Sequence, residues 1–382
     1  MSTRFNKIKE LSSIGIADIT GSIISALFWF YLATLIGPEA YGEIHYFISI
    51  AAVASTISLL GATQTLLVYS AKKVKIHSTL YSLNLIVGVV SATIVAFIVK
   101  DLSVGLLVIG YMVFAIAWSD VLGKKYYKTY TKYILVQKIL MVSLSIGFFF
   151  ILGKDGIILG MAISFFVGFL RVFRGFHETK IDFKLFKKKF SFISYNFIHS
   201  LTWTLGSMDK LIIAPLFGFV VVGNYALGMQ FLSLLMILPV IVGKYLIPQE
   251  SSGEENKKLK KIIIFISIGI GGLGVLIGPE IASFLFPKYS ELDSIIRIMS
   301  LGVIPSTIAL TYSAKFLGNE KGNYTLFLGI SRTSIMILSI IVLGHLYGIQ
   351  GIAAGVVLSE ACVAIFSAIL AKKMDLSKTD SK

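Results

Sequence analysis

The stretch MDKLIIAPLFGFVVVGNYALGMQF, residues 208–231, is almost wholly apolar, yet it carries Asp209 and Lys210 side by side near its start. Apolar runs of about 20 residues, the length that a helix needs to cross a bilayer, recur on both sides of this stretch. With 56% hydrophobic and 14% charged residues, the chain has too few polar side chains to cover a water-facing surface. The alternating pattern of an outer-membrane barrel is absent. The sequence therefore predicts an all-α membrane protein.

Polar breaks divide the chain into about twelve candidate transmembrane helices. These lie near residues 12–36, 44–70, 78–99, 102–120, 133–152, 156–173, 192–217, 220–247, 262–286, 295–317, 324–346 and 350–371. Pro239 and Pro305 fall inside two of them and predict bends there. The basic start with Arg4, Lys7 and Lys9 lacks a small-residue cleavage site, so the first apolar run is interpreted as a retained helix.

The Lys and Arg residues predict the orientation of the chain in the membrane. An even number of spans places both termini on one side, and the basic residues concentrate in the connections on that side. The positive-inside rule therefore predicts that both termini of this multi-pass membrane protein lie in the cytoplasm. The same distribution assigns the net charge of +15 to membrane orientation rather than to nucleic-acid binding.

The chain also contains an internal repeat. LIGPEAYGEI (35–44) aligns with LFGFVVVGNY (216–225) at an offset of 181 residues, and GKDGIILGMAIS (153–164) aligns with GIQGIAAGVVLS (348–359) at an offset of 195. An insertion within residues 248–261 accounts for the difference. The repeat predicts two six-helix halves, residues 1–175 and 192–382, related by a pseudo-two-fold axis along the membrane normal. A basic cytoplasmic linker, residues 176–191, joins them.

This linker contains FHETKIDFKLFKKKF (176–190), in which phenylalanines alternate with lysines. Two interpretations stay open. The segment is either a helix lying on the inner interface against anionic lipid, or a solvated basic connection held in the cytosol by its charge.

The stretch 208–231 resembles the polysaccharide transporter family, the Wzx-type repeat-unit flippases of the MOP superfamily. The residues that carry the resemblance are Asp209, Lys210, Gly218 and VGNY (222–225), together with FLFPKYSELDSIIRIMSL (284–301). The resemblance implies a MATE/MOP-like fold. It also implies a flippase in a prokaryotic plasma (inner) membrane. Such a protein moves a polyprenyl-diphosphate-linked oligosaccharide from the inner to the outer leaflet by alternating access, for surface polysaccharide such as O-antigen lipopolysaccharide.

Ionisable residues at membrane depth are the candidate transport residues, because charges are costly there. Lys210 and Arg332 are candidates for binding the diphosphate, to which cations are suited. Asp18, Asp209 and Glu360 would balance these cations or bind the H⁺ or Na⁺ that drives transport. Adjacent helical side chains point about 100° apart, so Asp209 and Lys210 are expected to pair with other groups. The competing hypothesis is that these residues form structural ion pairs. Asp120, nearer a helix end, is discounted as a group that reaches the interface.

No motif for catalysis, ATP hydrolysis or metal binding appears, so neither an enzyme nor a cofactor is predicted. The single cysteine, Cys362, excludes an internal disulfide. Expected partners are the lipid-linked oligosaccharide, membrane lipids and glycan-assembly enzymes. A cation-coupled multidrug exporter of the same superfamily is the first alternative function, and the basic candidates argue against it. A membrane polysaccharide polymerase or ligase is the second, and the lack of a large loop argues against that.

Overall fold

The computed structural model describes residues 2–205, 208–252 and 256–379, and no strand is present in them. The helices up to residue 205 are α1 (Ser2–Leu35), α2 (Pro38–Leu59), α3 (Ala62–Ala71), α4 (His77–Val99), α5 (Leu102–Gly123), α6 (Tyr127–Leu152), α7 (Lys154–Ser164), α8 (Phe169–Glu178) and α9 (Phe183–Leu205). The later helices are α10 (Asp209–Phe217), α11 (Phe219–Leu235), α12 (Ile237–Ser251), α13 (Lys257–Leu276), α14 (Gly278–Leu285), α15 (Leu292–Ser300), α16 (Val303–Gly318) and α17 (Gly322–Thr379).

Within the described residues, eight helical segments are long and apolar enough to cross a membrane, and ten if each bent pair counts as one span. Helices satisfy their own backbone hydrogen bonds, as lipid requires. The protein is therefore an all-helical membrane protein. The last segment, α17, contains the non-helical Gly348 and so comprises two helical arms, residues 322–347 and 349–379. The side chains of Arg4, Lys7 and Lys9, and the end of the basic tail beyond Thr379, lie outside the described part.

Two bends occur where the prolines predict them. Helices α11 and α12 meet at 53°, and α15 and α16 meet at 41°. Pro239 and Pro305 each stand in the first turn of the later helix, where a missing N–H costs no intrahelical hydrogen bond.

The single helix predicted over residues 192–217 is wrong. Helix α9 ends at Leu205 and α10 begins at Asp209, with Met208 outside either helix. Apolar periodicity continues through both helices, so hydropathy alone does not reveal a break of this kind. Its consequence is that Asp209 begins a helix instead of lying inside one.

The chain consists of two compact units, each with its own internal packing. Unit 1 comprises Met1–Tyr31 and Tyr46–Met208, and unit 2 comprises Leu32–His45 and Asp209–Lys382. The turn between α1 and α2 thus packs within unit 2. There the ammonium of Lys288 donates to the carbonyl oxygen of Leu35 (3.2 Å), at the end of α1.

The start of α2 and the start of α11 contact each other reciprocally within unit 2. A Cβ on Gly42 would overlap the carbonyl of Phe219, and a Cβ on Gly223 would overlap the carbonyl of Pro38. Pro38 and Phe219 are themselves equivalent at the offset of 181 residues. Such mutual contacts between equivalent residues are the pattern that a local two-fold axis generates.

Each unit also contains one helical hairpin with the same internal contacts. The unit 1 hairpin consists of α6 and α7, and the unit 2 hairpin consists of the two arms of α17. The chain turns at Gly153 (φ +69°) and at Gly348 (φ +61°), a left-handed conformation that glycine adopts without steric cost. The close glycine contacts are Gly156 with Phe148 and Gly160 with Leu144 in unit 1, and Gly351 with Leu343 and Gly355 with Ser339 in unit 2. All of these residues match at the offset of 195, as the repeat predicts.

Candidate functional site

Asp209 and Lys210 form an ion pair at the start of α10. The ammonium of Lys210 lies 3.2 Å from Oδ1 of Asp209, and the backbone N–H of Lys210 donates to the same oxygen at 2.8 Å. The expectation that these neighbours pair with other groups is therefore wrong for Lys210. The argument that adjacent side chains point about 100° apart holds for a helix interior. Asp209 is instead the first residue of its helix, where backbone N–H groups lack intrahelical partners, and its carboxylate accepts from the N–H of Lys210.

Asp209 has a second partner on α11. The hydroxyl of Tyr225 donates to Oδ2 of Asp209 at 2.6 Å, so both carboxylate oxygens are satisfied although Asp209 is only 3% exposed. Gly218, with φ +85°, makes the turn that returns α11 toward α10. Tyr225 was missed as a site residue in the sequence, although it ends the VGNY motif. The ammonium of Lys210 also lies 5.7 Å from the Tyr225 ring centroid, within cation–π range.

Arg332 and Glu360 join the two arms of the unit 2 hairpin. Nε of Arg332 lies 3.0 Å from Oε1 of Glu360, and Nη2 donates to Oε2 at 3.1 Å. The Nη2 contact is a hydrogen bond, whereas Nε is buried and its contact with Oε1 is an ion-pair contact without hydrogen-bond geometry. The Arg332 side chain remains 42% exposed, against 15% for Glu360. The Arg332 side chain as a whole is therefore only partly covered, although its Nε is buried.

Asp18 belongs to unit 1, whereas the other four candidates belong to unit 2. Oδ1 of Asp18 accepts a hydrogen bond from the hydroxyl of Tyr130 (2.9 Å) on α6. No hydrogen bond or ion pair links the Asp209–Lys210 pair to the Arg332–Glu360 pair in the part of unit 2 that is described. The five candidates thus form three local groups, each with its own neutral or charged partner.

The prediction for Asp120 is wrong, because this residue does not reach the interface. It is fully buried at the end of α5 and is surrounded by donors. Oδ1 accepts from the Ser70 hydroxyl (2.7 Å) and lies 3.1 Å from Nε2 of His77, while Oδ2 accepts from Nε of Arg171 (2.6 Å). Glu178 and Lys124 complete the cluster. It ties α3, α4, α5 and α8 together, and its charges are balanced internally.

The unit 1 hairpin has an uncharged pair where the unit 2 hairpin has an ion pair. Nε2 of Gln137 donates to the hydroxyl of Ser164 at 3.1 Å, and Gln137 is buried. At the offset of 195 residues, Gln137 corresponds to Arg332, and Ser164 corresponds to Ser359, next to Glu360. The same hairpin backbone therefore carries a neutral hydrogen bond in one unit and a charged pair in the other.

The described residues contain no group of three or more His, Cys, Asp or Glu side chains able to hold a metal ion. Among the acidic candidates, Asp18 contacts a tyrosine, Glu360 contacts an arginine, and Asp209 contacts both a lysine and a tyrosine.

Solved structures of similar shape exist. The chain superposes on a multidrug resistance MATE family transporter of the MOP superfamily in an inward-facing conformation with a TM-score of 0.75, over 95% of this chain and 96% of that one, at 15% identity. It superposes on the lipid II flippase MurJ in an inward closed conformation with a TM-score of 0.75, over 94% of this chain and 87% of that one, at 14% identity. For a MATE family transporter in an outward-facing conformation the TM-score is 0.64, at 18% identity over 97% and 94%.

Sequence comparison adds no assignment, since the chain matches no protein-family model and no curated protein significantly. At identities this low, the structural likeness shows the fold. The chain has the helical fold found in MATE transporters and in MurJ, as the sequence predicted.

Proposed function

We propose that this protein is a transporter of the MOP type that moves a lipid-linked oligosaccharide from the inner to the outer leaflet of a plasma membrane. The proposal rests on a difference between the two hairpins. The arms of the unit 2 hairpin are joined by the ion pair Arg332–Glu360, whereas the arms of the unit 1 hairpin are joined by the neutral pair Gln137–Ser164. The counterpart indicates that this hairpin does not need a charge to fold. The charges of unit 2 therefore call for another role, and anion binding is one that the half-exposed Arg332 supplies.

Lys210 contributes to this role because its release is inexpensive for its partner. When a diphosphate draws the ammonium of Lys210 away, Asp209 keeps hydrogen bonds from Tyr225 and from the backbone N–H of Lys210. Each oxygen of the buried carboxylate then still accepts a hydrogen bond. An unsatisfied buried polar group would cost about 1–3 kcal/mol, and a charged one more. Lys210 and Arg332 are thus cations held ready by neighbouring carboxylates in the absence of substrate.

Asp18 is the candidate for the coupling ion. It is partly buried in unit 1, and Tyr130 is its side-chain hydrogen-bond partner. No cation lies within ion-pair distance of it in the described residues, so a proton or Na⁺ would supply the missing charge. Binding of that ion to one unit and of the anionic head to the other would couple two events in a single transport cycle. The halves 1–175 and 192–382, the cytoplasmic termini and the contacts with glycan-assembly enzymes belong to the same proposal.

The test is deletion of the gene in its native host, followed by complementation. Deletion is expected to abolish surface glycan and to accumulate the lipid-linked oligosaccharide on the inner leaflet. Lys210→Ala and Arg332→Ala are each expected to fail in complementation while reaching wild-type levels in the membrane. Arg297→Ala, which removes an exposed cation of unit 2 outside the site, is the matched control and should complement fully.

A cation-coupled multidrug exporter is the second candidate, because the TM-score with a MATE transporter equals that with MurJ. The same deletion separates the two functions. If the deletion leaves surface glycan unchanged and increases sensitivity to cationic drugs, the protein is an exporter and the flippase proposal is wrong. A polymerase or ligase would instead leave unpolymerised or untransferred oligosaccharide on the outer leaflet.

A further inference from the structure

The start of α9 is firmly attached to unit 1 and is not a loose linker. The backbone N–H of Asp182 donates to the hydroxyl of Thr79 at 2.8 Å, and Oδ1 of Asp182 accepts from the N–H of Leu185 at 2.9 Å, which caps the first turn. Just before it, the hydroxyl of Thr179 accepts from the N–H of Ser78 at 3.0 Å. Residues 183–190 therefore form the fixed first two turns of a helix.

Helix α9 packs antiparallel to α3, and this packing brings two sets of lysines together. Asn196 donates to Thr65 at 3.2 Å, while further along the rings of Phe192 and Tyr69 are 5.2 Å apart. The ammonium of Lys189 lies 5.6 Å from the Tyr69 ring centroid. Extending this register places Lys72 and Lys73, which directly follow the end of α3, level with Lys188 and Lys189 in the second turn of α9. The resulting lysine patch consists of Lys72, Lys73, Lys184, Lys187 and Lys188.

The five lysines of the patch are exposed, and in the described part of the chain none of them forms an ion pair. Two acidic residues are close to the patch in sequence. The carboxylate of Asp182 caps α9 and offsets one positive charge, while Glu178 binds Arg171 and Lys124. The five lysines therefore leave a clear excess of positive charge. Charge of this kind attracts an anionic surface within about one Debye length, which is about 8 Å at physiological ionic strength.

Two exposed aromatic side chains flank the lysines. Phe183 and Phe190 are 59% and 56% exposed. They are seven residues apart, so they point in nearly the same direction from α9, about 20° apart. Lys184, Lys187 and Lys188 point to the adjacent sector, while Leu185 and Phe186 pack onto the core of unit 1. An aromatic flank beside a cationic face is the arrangement of a helix at a membrane interface.

We propose that the lysine patch binds anionic phospholipid headgroups at the cytoplasmic surface of the membrane, with Phe183 and Phe190 inserted among the acyl chains. Of the two interpretations of residues 176–190, the structure favours the interfacial helix, because the segment is anchored, helical and asymmetric. The patch lies in unit 1, whereas the proposed diphosphate-binding cations lie in unit 2. The proposal therefore goes beyond the transport function and does not depend on the substrate.

The proposal is tested by native mass spectrometry of the full-length protein in detergent with added phosphatidylglycerol or phosphatidylcholine. Lys184→Gln/Lys187→Gln/Lys188→Gln is expected to weaken phosphatidylglycerol binding at least about fivefold, because the loss of even one lysine contact with the headgroup, about 1 kcal/mol, lowers the affinity by that factor. Phosphatidylcholine binding should not change, which also reports a folded protein. The corresponding triple arginine variant, which keeps the charge, is expected to bind like the wild type.

The matched control is Lys125→Gln/Lys128→Gln/Lys132→Gln, which removes three exposed lysines from the α5–α6 connection and the start of α6 in the same unit. We expect less than a twofold loss from it. An equal loss in both triple variants would reduce the patch to general surface charge and overturn the proposal. Selective binding of a polyprenyl diphosphate with no response to phosphatidylglycerol would also overturn it, because the patch would then serve the substrate. Unchanged surface glycan in the patch variant would leave the flippase proposal intact.

Discussion

The two helical hairpins have the same backbone packing but different electrostatics. In the unit 1 hairpin the facing arms are joined by Gln137 and Ser164, and in the unit 2 hairpin by Arg332 and Glu360. Replacing an ion pair by neutral groups of similar size is often neutral or stabilising, so an ion pair is weak evidence of a need for stability. The comparison teaches that the glycine packing is common to both hairpins, whereas the charges are particular to unit 2 and are the basis of the proposed anion site.

The largest effect is expected from substitutions that disrupt the glycine packing common to both hairpins. Gly160→Leu and Gly355→Leu each place a bulky side chain against the backbone of the facing arm, where even a Cβ is crowded. Both substitutions are expected to abolish the folded protein in the membrane, and to do so to the same extent. Fluorescence-detected size-exclusion chromatography measures this. A folded Gly160→Leu protein beside an unfolded Gly355→Leu protein would show that the hairpins are not equivalent.

A smaller effect on stability is expected from substitutions that remove the charges of the unit 2 hairpin and leave its glycine packing unchanged. Arg332→Gln leaves Glu360 without its cation, and we expect a loss of about 1–3 kcal/mol in the free energy of unfolding. The double variant Arg332→Gln/Glu360→Gln removes both charges and should recover most of that loss. Thermal unfolding of the purified variants provides the measurement. A double variant that is no more stable than the single one would mean that the ion pair holds the hairpin together.

The shared part of the fold was predictable from the sequence, because glycine positions record backbone geometry. The offsets of 181 and 195 residues identified Gly42 with Gly223 and Gly153 with Gly348 as equivalent positions, and the structure gives each pair the same local geometry. These features depend on the absence of a side chain, which a sequence shows directly.

The partners of the charged residues were not predictable in the same way. The break before Asp209 lies inside an apolar run and is not visible in the hydropathy pattern. The ion pair between Asp209 and Lys210 was therefore missed, and so was the hydrogen bond from Tyr225 to Asp209. Asp120 was discounted because it is near the end of its helix. Position along a helix does not reveal burial, and three other helices surround Asp120 with His77, Ser70 and Arg171. Contacts between residues far apart in the chain need the tertiary structure.

The central claim is that the charges of the unit 2 hairpin bind an anionic lipid head. The most direct measurement is binding of a fluorescent polyprenyl diphosphate to the purified protein at several salt concentrations. We expect Arg332→Gln/Glu360→Gln to lower the affinity at least about tenfold and to reduce its salt dependence, since a hydrogen bond to a charged group contributes about 1.5–3 kcal/mol. Gln137→Ala/Ser164→Ala, the matched change in the unit 1 hairpin, should bind like the wild type. Equal affinity of the wild type and the unit 2 variant at all salt concentrations would contradict the claim.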